Sequence, residues 1–394
     1  MGKLAINGGP KVRQKPFPPW PPKDPGFKER LGEVIDSGVW GMGGEMQREF
    51  VRTFAEWCGA TYCVACTSGT TALELALRAC GIGPGDEVIV PAYTFIATAS
   101  SVVSAGAKAV FADIDAATLN LDPRATEAAI TERTAAIIPV HIGGMPADMD
   151  AFLALGEKHG LKIIEDCAQA HGAEYRGKRV GSIGDAGCFS FQSSKNITSG
   201  EGGAVTTSDP EIHARAWSAH NVGRVPEGRW YDHRVLGWNW RITEFQCAVL
   251  LRGLELWDEQ DARRQVNAAY LRERLEDVPG IEAQAFIEGA DKSAYHLLVL
   301  RYAEEAFDGL DRDRFIAALD AEGIPTWRGY NPLYREGLFA EEYGSLHLPV
   351  TEHACERGSF WLGQHMLLGE REDMDDIADA MLKVWKNREE LLDE

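Results

Sequence analysis

From residue 61 onward, apolar positions follow two rhythms in turn. Short unbroken runs such as Tyr62-Cys-Val-Ala-Cys66 and Glu87-Val-Ile-Val90 read as buried strands. Longer stretches between them carry apolar residues three and four apart and read as helices. Strands are expected at 62–66, 87–90, 108–112, 135–140 and 161–165, with helices at 70–80, 95–104 and 149–159. Gly81 and Pro84 stop the first of these helices. A further strand opens at Cys188, and another spans 204–207. This alternation implies an α/β fold with a mostly parallel sheet, whose ligands sit beyond the carboxyl ends of the strands.

The flanking regions differ. Residues 27–57 read as helix, Gly-rich turn at 41–44, helix. Around 244–275 the pattern becomes one long helix with Glu, Gln and Arg throughout. A strand at 294–301 and helices at 311–322 and 373–392 then suggest a smaller α+β unit. The expected division is an extended arm at 1–25, a large domain at 26–255 and a small C-terminal domain at 256–394. The arm is rich in Pro and Gly and suits packing on a neighbouring subunit.

Composition narrows the function. The chain has 394 residues, 45% of them hydrophobic, enough for a full globular core. A formal charge of −20 argues against a nucleic-acid partner. No run of about 18 apolar residues marks a membrane span. The N-terminal residues lack the apolar core of a signal peptide. Eight scattered cysteines read as reduced thiols of a cytoplasmic protein. Cys63 and Cys66 form a C-x-x-C with no second pair, so they read as buried strand residues and no metal site is expected.

The chemistry centres on the polar loop between the last two strands, which carries Lys195. Apolar strands on both sides strip hydration from a lysine there and disfavour its charged form. A neutral amine attacks carbonyls, and such a lysine is the usual anchor for pyridoxal phosphate. An ordinary solvated loop lysine is the competing reading. Thr67-Ser-Gly-Thr-Thr71 lies between a strand and a helix, suiting either a phosphate cradle or a plain helix cap. Asp166 ends an apolar strand where a carboxylate can keep a pyridine nitrogen protonated, and Gln169 follows it toward the same edge. Glu165 is the rival carboxylate, but strand alternation places the two on opposite faces. Phe95 or Tyr93 can stack on a planar ligand or simply pack in the core.

Taken together, these stretches resemble the DegT/StrS-type sugar aminotransferases, fold type I enzymes dependent on pyridoxal phosphate. The resemblance is carried by Thr67-Ser-Gly-Thr-Thr-Ala-Leu73, the run from Gly83 to Phe95, Glu165-Asp-Cys-Ala-Gln-Ala-His-Gly172, the Lys195 loop and Gly237-Trp-Asn-Trp-Arg-Ile-Thr-Glu-Phe-Gln246. It implies a large domain with a mostly parallel mixed sheet between helices, plus a smaller α+β domain. It assigns Lys195 as the Schiff-base lysine and proton carrier, and Asp166 as partner of the pyridine nitrogen. It places Gln169 at the phenolic oxygen, Phe95 on the ring, and Gly69, Thr70 and Ser190 on the phosphate. Asn239 would reach the phosphate of the other subunit of a homodimer with shared active sites.

The implied reaction runs in two halves, from glutamine or glutamate to a keto group on a cyclitol or sugar. Pro139-Val-His-Ile-Gly-Gly-Met145 lacks the aromatic residue common in relatives acting on nucleotide-linked sugars. The chain thus looks more like glutamine:scyllo-inosose aminotransferases and 3-amino-5-hydroxybenzoate synthases. The small Gly143 and Gly144 are expected to leave the backbone free to move or to approach the ligand. Loops 224–234 and 326–335 are expected to select the acceptor. A nucleotide-linked keto-sugar, an aminoshikimate-type dehydration and a non-enzymatic regulatory role stay open as alternatives.

Overall fold

A computed structural model describes residues 2–225 and 228–392. Pro226 and Glu227, within one expected selectivity loop, lie outside the described residues. Helices α1 (Gly26–Ser37) and α2 (Glu45–Cys58) lead into β1 (Tyr62–Cys66), α3 (Gly69–Ala79), β2 (Glu87–Pro91), α4 (Ala97–Ala105) and β3 (Lys108–Ala112). Next come α5 (Pro123–Ala129), β4 (Thr134–Ile137), α6 (Met149–His159) and β5 (Lys162–Asp166). A small hairpin of β6 (Glu174–Tyr175) and β7 (Lys178–Arg179) precedes β8 (Ala186–Ser190), β9 (Gly203–Thr207) and α7 (Pro210–His220).

These strands form a seven-stranded sheet in the order β1-β9-β8-β5-β4-β2-β3. Pairing is parallel from β8 to β3, while β9 runs antiparallel to both its neighbours. Alternate residues feed two cores. Ile89, Ile163 and Phe189 face a layer with Phe50, Phe54 and Phe152. Val88, Ile164 and Cys188 face Leu73, Leu77 and Val102 on the other side. The period of two thus buries both faces, as a sheet between helices requires.

The expected long helix is two helices, α8 (Glu244–Glu255) and α9 (Trp257–Leu275), broken at Leu256. The break carries Trp257 into the core, edge-on to Trp57 at 5.4 Å. After α9 come β10 (Ile281–Ala283), β11 (Ala290–Lys292), β12 (Leu297–Tyr302), α10 (Arg312–Ala321) and β13 (Trp327–Arg328). The chain then forms α11 (Ala340–Tyr343), α12 (Pro349–His353), β14 (Ser359–Gly363) and α13 (Arg371–Lys386). A second sheet runs β10-β12-β14-β13 and has its own core with α9, α10 and α13. β12 starts three residues later than its apolar pattern suggests, because Tyr295 takes a left-handed backbone (φ 47°). The last helix ends at Lys386 with Asn387 as its cap, before a short turn at Arg388–Leu391.

The N-terminal arm lies on its own chain. Leu4 is buried in the third core, and the Arg13 guanidinium donates to Asp373 and Asp376, each at 2.8 Å. All eight cysteines are unpaired, with Cys63 and Cys66 buried on β1. Among the described residues, no helix is long and apolar enough to cross a membrane.

Candidate active site

The carboxyl ends of the strands open on a cavity of about 500 Å³. Lys195, Asp166, Gln169, Phe95, Gly69, Thr70 and Ser190 all line it, although they come from four separate stretches of chain. Asn239 does not; it is exposed and bridges to Asn221. A larger chamber of about 750 Å³ adjoins the cavity between the arm and the second sheet, sharing His296, Leu297 and Trp361 with it. The smaller space is the candidate site, because it holds the chemistry.

Lys195 sits in a turn after β8, its amide donating to the Gln192 carbonyl at 2.9 Å. Lys195 is half-buried as a residue and lines the cavity, while protein surrounds its amine. This desolvation pushes the amine pKa down to about 8, against an opposing pull from Asp166. At pH 8 about half of such amines are neutral and nucleophilic. Asp166 is buried, and the loss of water pushes its carboxyl pKa up. Its oxygens accept from the Thr98 hydroxyl (2.8 Å) and the Ala168 amide (3.1 Å). Among the described residues no cation lies within ion-pair distance of it, and the charge of Lys195 pulls the other way only weakly against burial.

Glu165 faces the opposite way, as alternation requires. It is fully buried and accepts the amides of Gly181, Ile183 and Gly184, each at 2.8 Å. His141 Nε2 lies 3.2 Å from it, and His141 Nδ1 accepts from the Ala147 amide. The rival carboxylate is therefore spent on holding the loop after β7. Between the two aromatic candidates the division is equally sharp. Phe95 lines the cavity at 57% exposure, while Tyr93 is fully buried and bonded to Ser359.

At the start of α3, the helix-cap reading holds and two amides are left open. Ser68 caps the helix by accepting from the Thr71 amide, with the Thr71 hydroxyl returning the bond. The next amides, Gly69 and Thr70, take no acceptor among the described residues. A Cβ on Gly69 would lie 2.6 Å from the Ser190 Cβ, and one on Gly203 2.2 Å from the Ser68 carbonyl oxygen. Only glycine allows this packing, which leaves a cradle of amides and hydroxyls at a helix N-terminus. Such a cradle suits a phosphate.

Other wall residues escape a sequence reading. Thr98 lies one helical turn past Thr94 and hydrogen-bonds it at 3.0 Å, a spacing that an i, i+4 search could have flagged. His296 and Tyr330 come from distant segments and carry no local signal. Asn196 donates to the Ala294 carbonyl, which turns its own oxygen toward His296 Nδ1 at 3.2 Å. That contact puts the proton on Nδ1, and burial disfavours a second one. Gly143 and Gly144 are buried away from the cavity, contrary to the backbone approach to the ligand expected there. A Cβ on Gly143 would meet Val299 Cγ2 at 2.7 Å, and one on Gly144 the Gln169 carbonyl oxygen at 2.8 Å. Their smallness serves packing beneath the site.

A sheet that gathers a desolvated lysine, a buried carboxylate and an open helix N-terminus fits a transferase of the α/β class. The model of the DegT/DnrJ/EryC1/StrS aminotransferase family matches residues 23–382, and the chain belongs to that family and is an aminotransferase. It is 41% identical to the L-glutamine:2-deoxy-scyllo-inosose aminotransferase of Streptoalloteichus tenebrarius, over 98% of this chain and 99% of that protein. The crystal structure of 3-amino-5-hydroxybenzoic acid synthase superposes with a TM-score of 0.87 at 36% identity, covering 95% and 100% of the two chains. DesV of S. venezuelae, solved with a ketimine intermediate, gives 0.85 at 36% identity, covering 94% and 99%.

Proposed function

We propose that the protein uses pyridoxal phosphate to move the amino group of glutamine to the ketone of a free cyclitol. The carrying observation is the composition of the cavity wall. It joins Lys195, Asp166 and the α3 cradle, yet no arginine lines it among the described residues. A nucleotide-linked sugar brings a diphosphate that calls for basic groups. A neutral polyhydroxylated ring does not. The relative's glutamine:2-deoxy-scyllo-inosose activity points the same way.

When bound, the cofactor supplies a carbonyl for the amine and a ring that accepts the electron pair freed at the substrate carbon. Gly69, Thr70 and Ser190 would hold its phosphate. Lys195 would anchor it and carry the proton from the substrate carbon. Asp166 would keep a proton on the pyridine nitrogen, and Gln169 would donate to the phenolic oxygen. Phe95 would stack on the ring. The test compares kcat/KM for scyllo-inosose-type ketones and keto-sugar nucleotides, with glutamine and glutamate as donors. The cyclitol with glutamine should win by about tenfold or more, since a mismatched polar site rejects strongly. Preference for the nucleotide sugar overturns the acceptor assignment, and release of an aromatic product would move the chain to the dehydratase reading.

The active unit is proposed to be a homodimer in the cytoplasm, divided at residue 255 into large and small domains. Trp230, Tyr231 and Leu236 are each at least 75% exposed, beside an Asn239 that its own cavity does not use. Apolar area of that kind favours a partner surface. Eight unpaired thiols support the reducing compartment. Mixed dimers of Lys195→Ala and Asn239→Asp should regain activity, because one of their two sites carries both native residues. Mixed dimers that form and stay inactive would refute the shared site.

A further inference from the structure

Tyr330 stands at the cavity wall 161 positions beyond Gln169, and the two are joined by a hydrogen bond. The direction of that bond can be read from its far end. The Gly143 amide donates to Gln169 Oε1 at 2.7 Å. A backbone amide only donates, so the other end of the carboxamide is its NH2 group. Gln169 Nε2 therefore donates to the Tyr330 oxygen at 2.8 Å. The phenol accepts there, and its own hydrogen turns elsewhere. Among the described residues nothing takes it up.

The ring is held firmly while that hydrogen stays free. Tyr93 meets it edge-on at 5.5 Å and Trp361 at 4.9 Å. Gly329 lets the backbone pass so close to Tyr93 that a Cβ would lie 2.7 Å from its hydroxyl oxygen. Burial raises the Tyr330 pKa far above its usual value, so the phenol keeps its proton. A fixed, protonated and unspent donor in a ligand cavity is the kind of group that selects a substrate.

We propose that Tyr330 is an acceptor-selecting residue, donating its O–H to an oxygen of a neutral polyhydroxylated ring ketone. This rests on the cyclitol reading above. It also gives the glycines at 143 and 144 a place in selectivity. They seat the turn whose amide orients Gln169, and Gln169 in turn fixes which way the Tyr330 hydroxyl points.

The test is Tyr330→Phe, which keeps the ring and removes the donor. Three quantities are measured: the absorption spectrum and dissociation constant of bound pyridoxal phosphate, the single-turnover rate with glutamine, and the acceptor KM. The acceptor KM should rise roughly 10- to 100-fold, the range for an unpaired polar contact, while the other two stay within about twofold. A set of cyclitol ketones each lacking one hydroxyl adds a second readout. Wild type should lose most on one deletion, and the variant should be indifferent to that same deletion. A spectrum or donor rate that changes as much as the acceptor KM would overturn the proposal, assigning Tyr330 to the support of Gln169. An unchanged KM with turnover of the cyclitol overturns it alone. Wild-type turnover of nucleotide-linked sugars only overturns the acceptor reading and the proposal together.

Discussion

Lys195→Ala should abolish amino transfer, a loss of about a thousandfold or more, since both nucleophile and proton carrier disappear. The wild-type protein should be yellow, and borohydride reduction should fix the cofactor to the peptide containing Lys195. The variant should still bind pyridoxal phosphate noncovalently through the α3 cradle and Asp166. Label on another lysine, or none in the wild type, would refute the assignment. The cofactor-free variant should also fold at least as stably as the wild type at pH 7. Burial lowers the amine pKa from 10.5 to about 8, so the folded chain holds that proton less well than the unfolded one. Stability therefore rises with pH between about 8 and 10.5, and below 8 the full penalty is present. Alanine removes that penalty, so the advantage of the variant should fade as pH climbs through the same window.

Asp166→Asn should cost about 3–5 kcal/mol of transition-state stabilisation, the scale for removing one partner of a buried charge pair. The substitution preserves shape. Thr98 can reverse its hydroxyl to accept from the new amide, since Thr94 lies 3.0 Å away as an alternative partner. The loss therefore reports on charge. Without the carboxylate, the pyridine nitrogen of the proposed cofactor would keep its proton less well and the electron pair at the substrate carbon would be less stabilised. Rapid mixing with glutamine should show slowed proton removal at near-normal donor affinity. Near-normal turnover would mean that some other group protonates the nitrogen. Glu165 is a poor candidate, because three backbone amides already claim it.

Much of the site was legible because local rules place its parts. Strand period put Asp166 and Glu165 on opposite faces, and the structure keeps them there. Ser and Thr around Gly69 marked a helix start, which is both capped and open to a ligand. The break at Leu256 and the late start of β12 were not legible. The first serves the burial of Trp257 and the second a left-handed Tyr295, and both are set by distant packing. The glycines at 143 and 144 mark the same limit. Their absence of side chain was visible, but whether it faced a ligand or the core depended on Val299 and Ala294, more than a hundred residues away.

By itself the sequence determined the alternation of elements, the family and the residues that face the strand ends, because periodicity and turn chemistry act over a few residues. Tertiary structure decided which of two neighbouring groups does the work. It chose Phe95 over Tyr93 for the cavity wall by burying one ring and leaving the other open. It also brought His296, Tyr330 and Trp361, from the second sheet and the segments flanking it, to the cavity that Lys195 lines. No local pattern records that meeting, since Tyr330 and Trp361 pack in a small cluster that joins Tyr93 and Val140 to Val299, residues far apart in the chain.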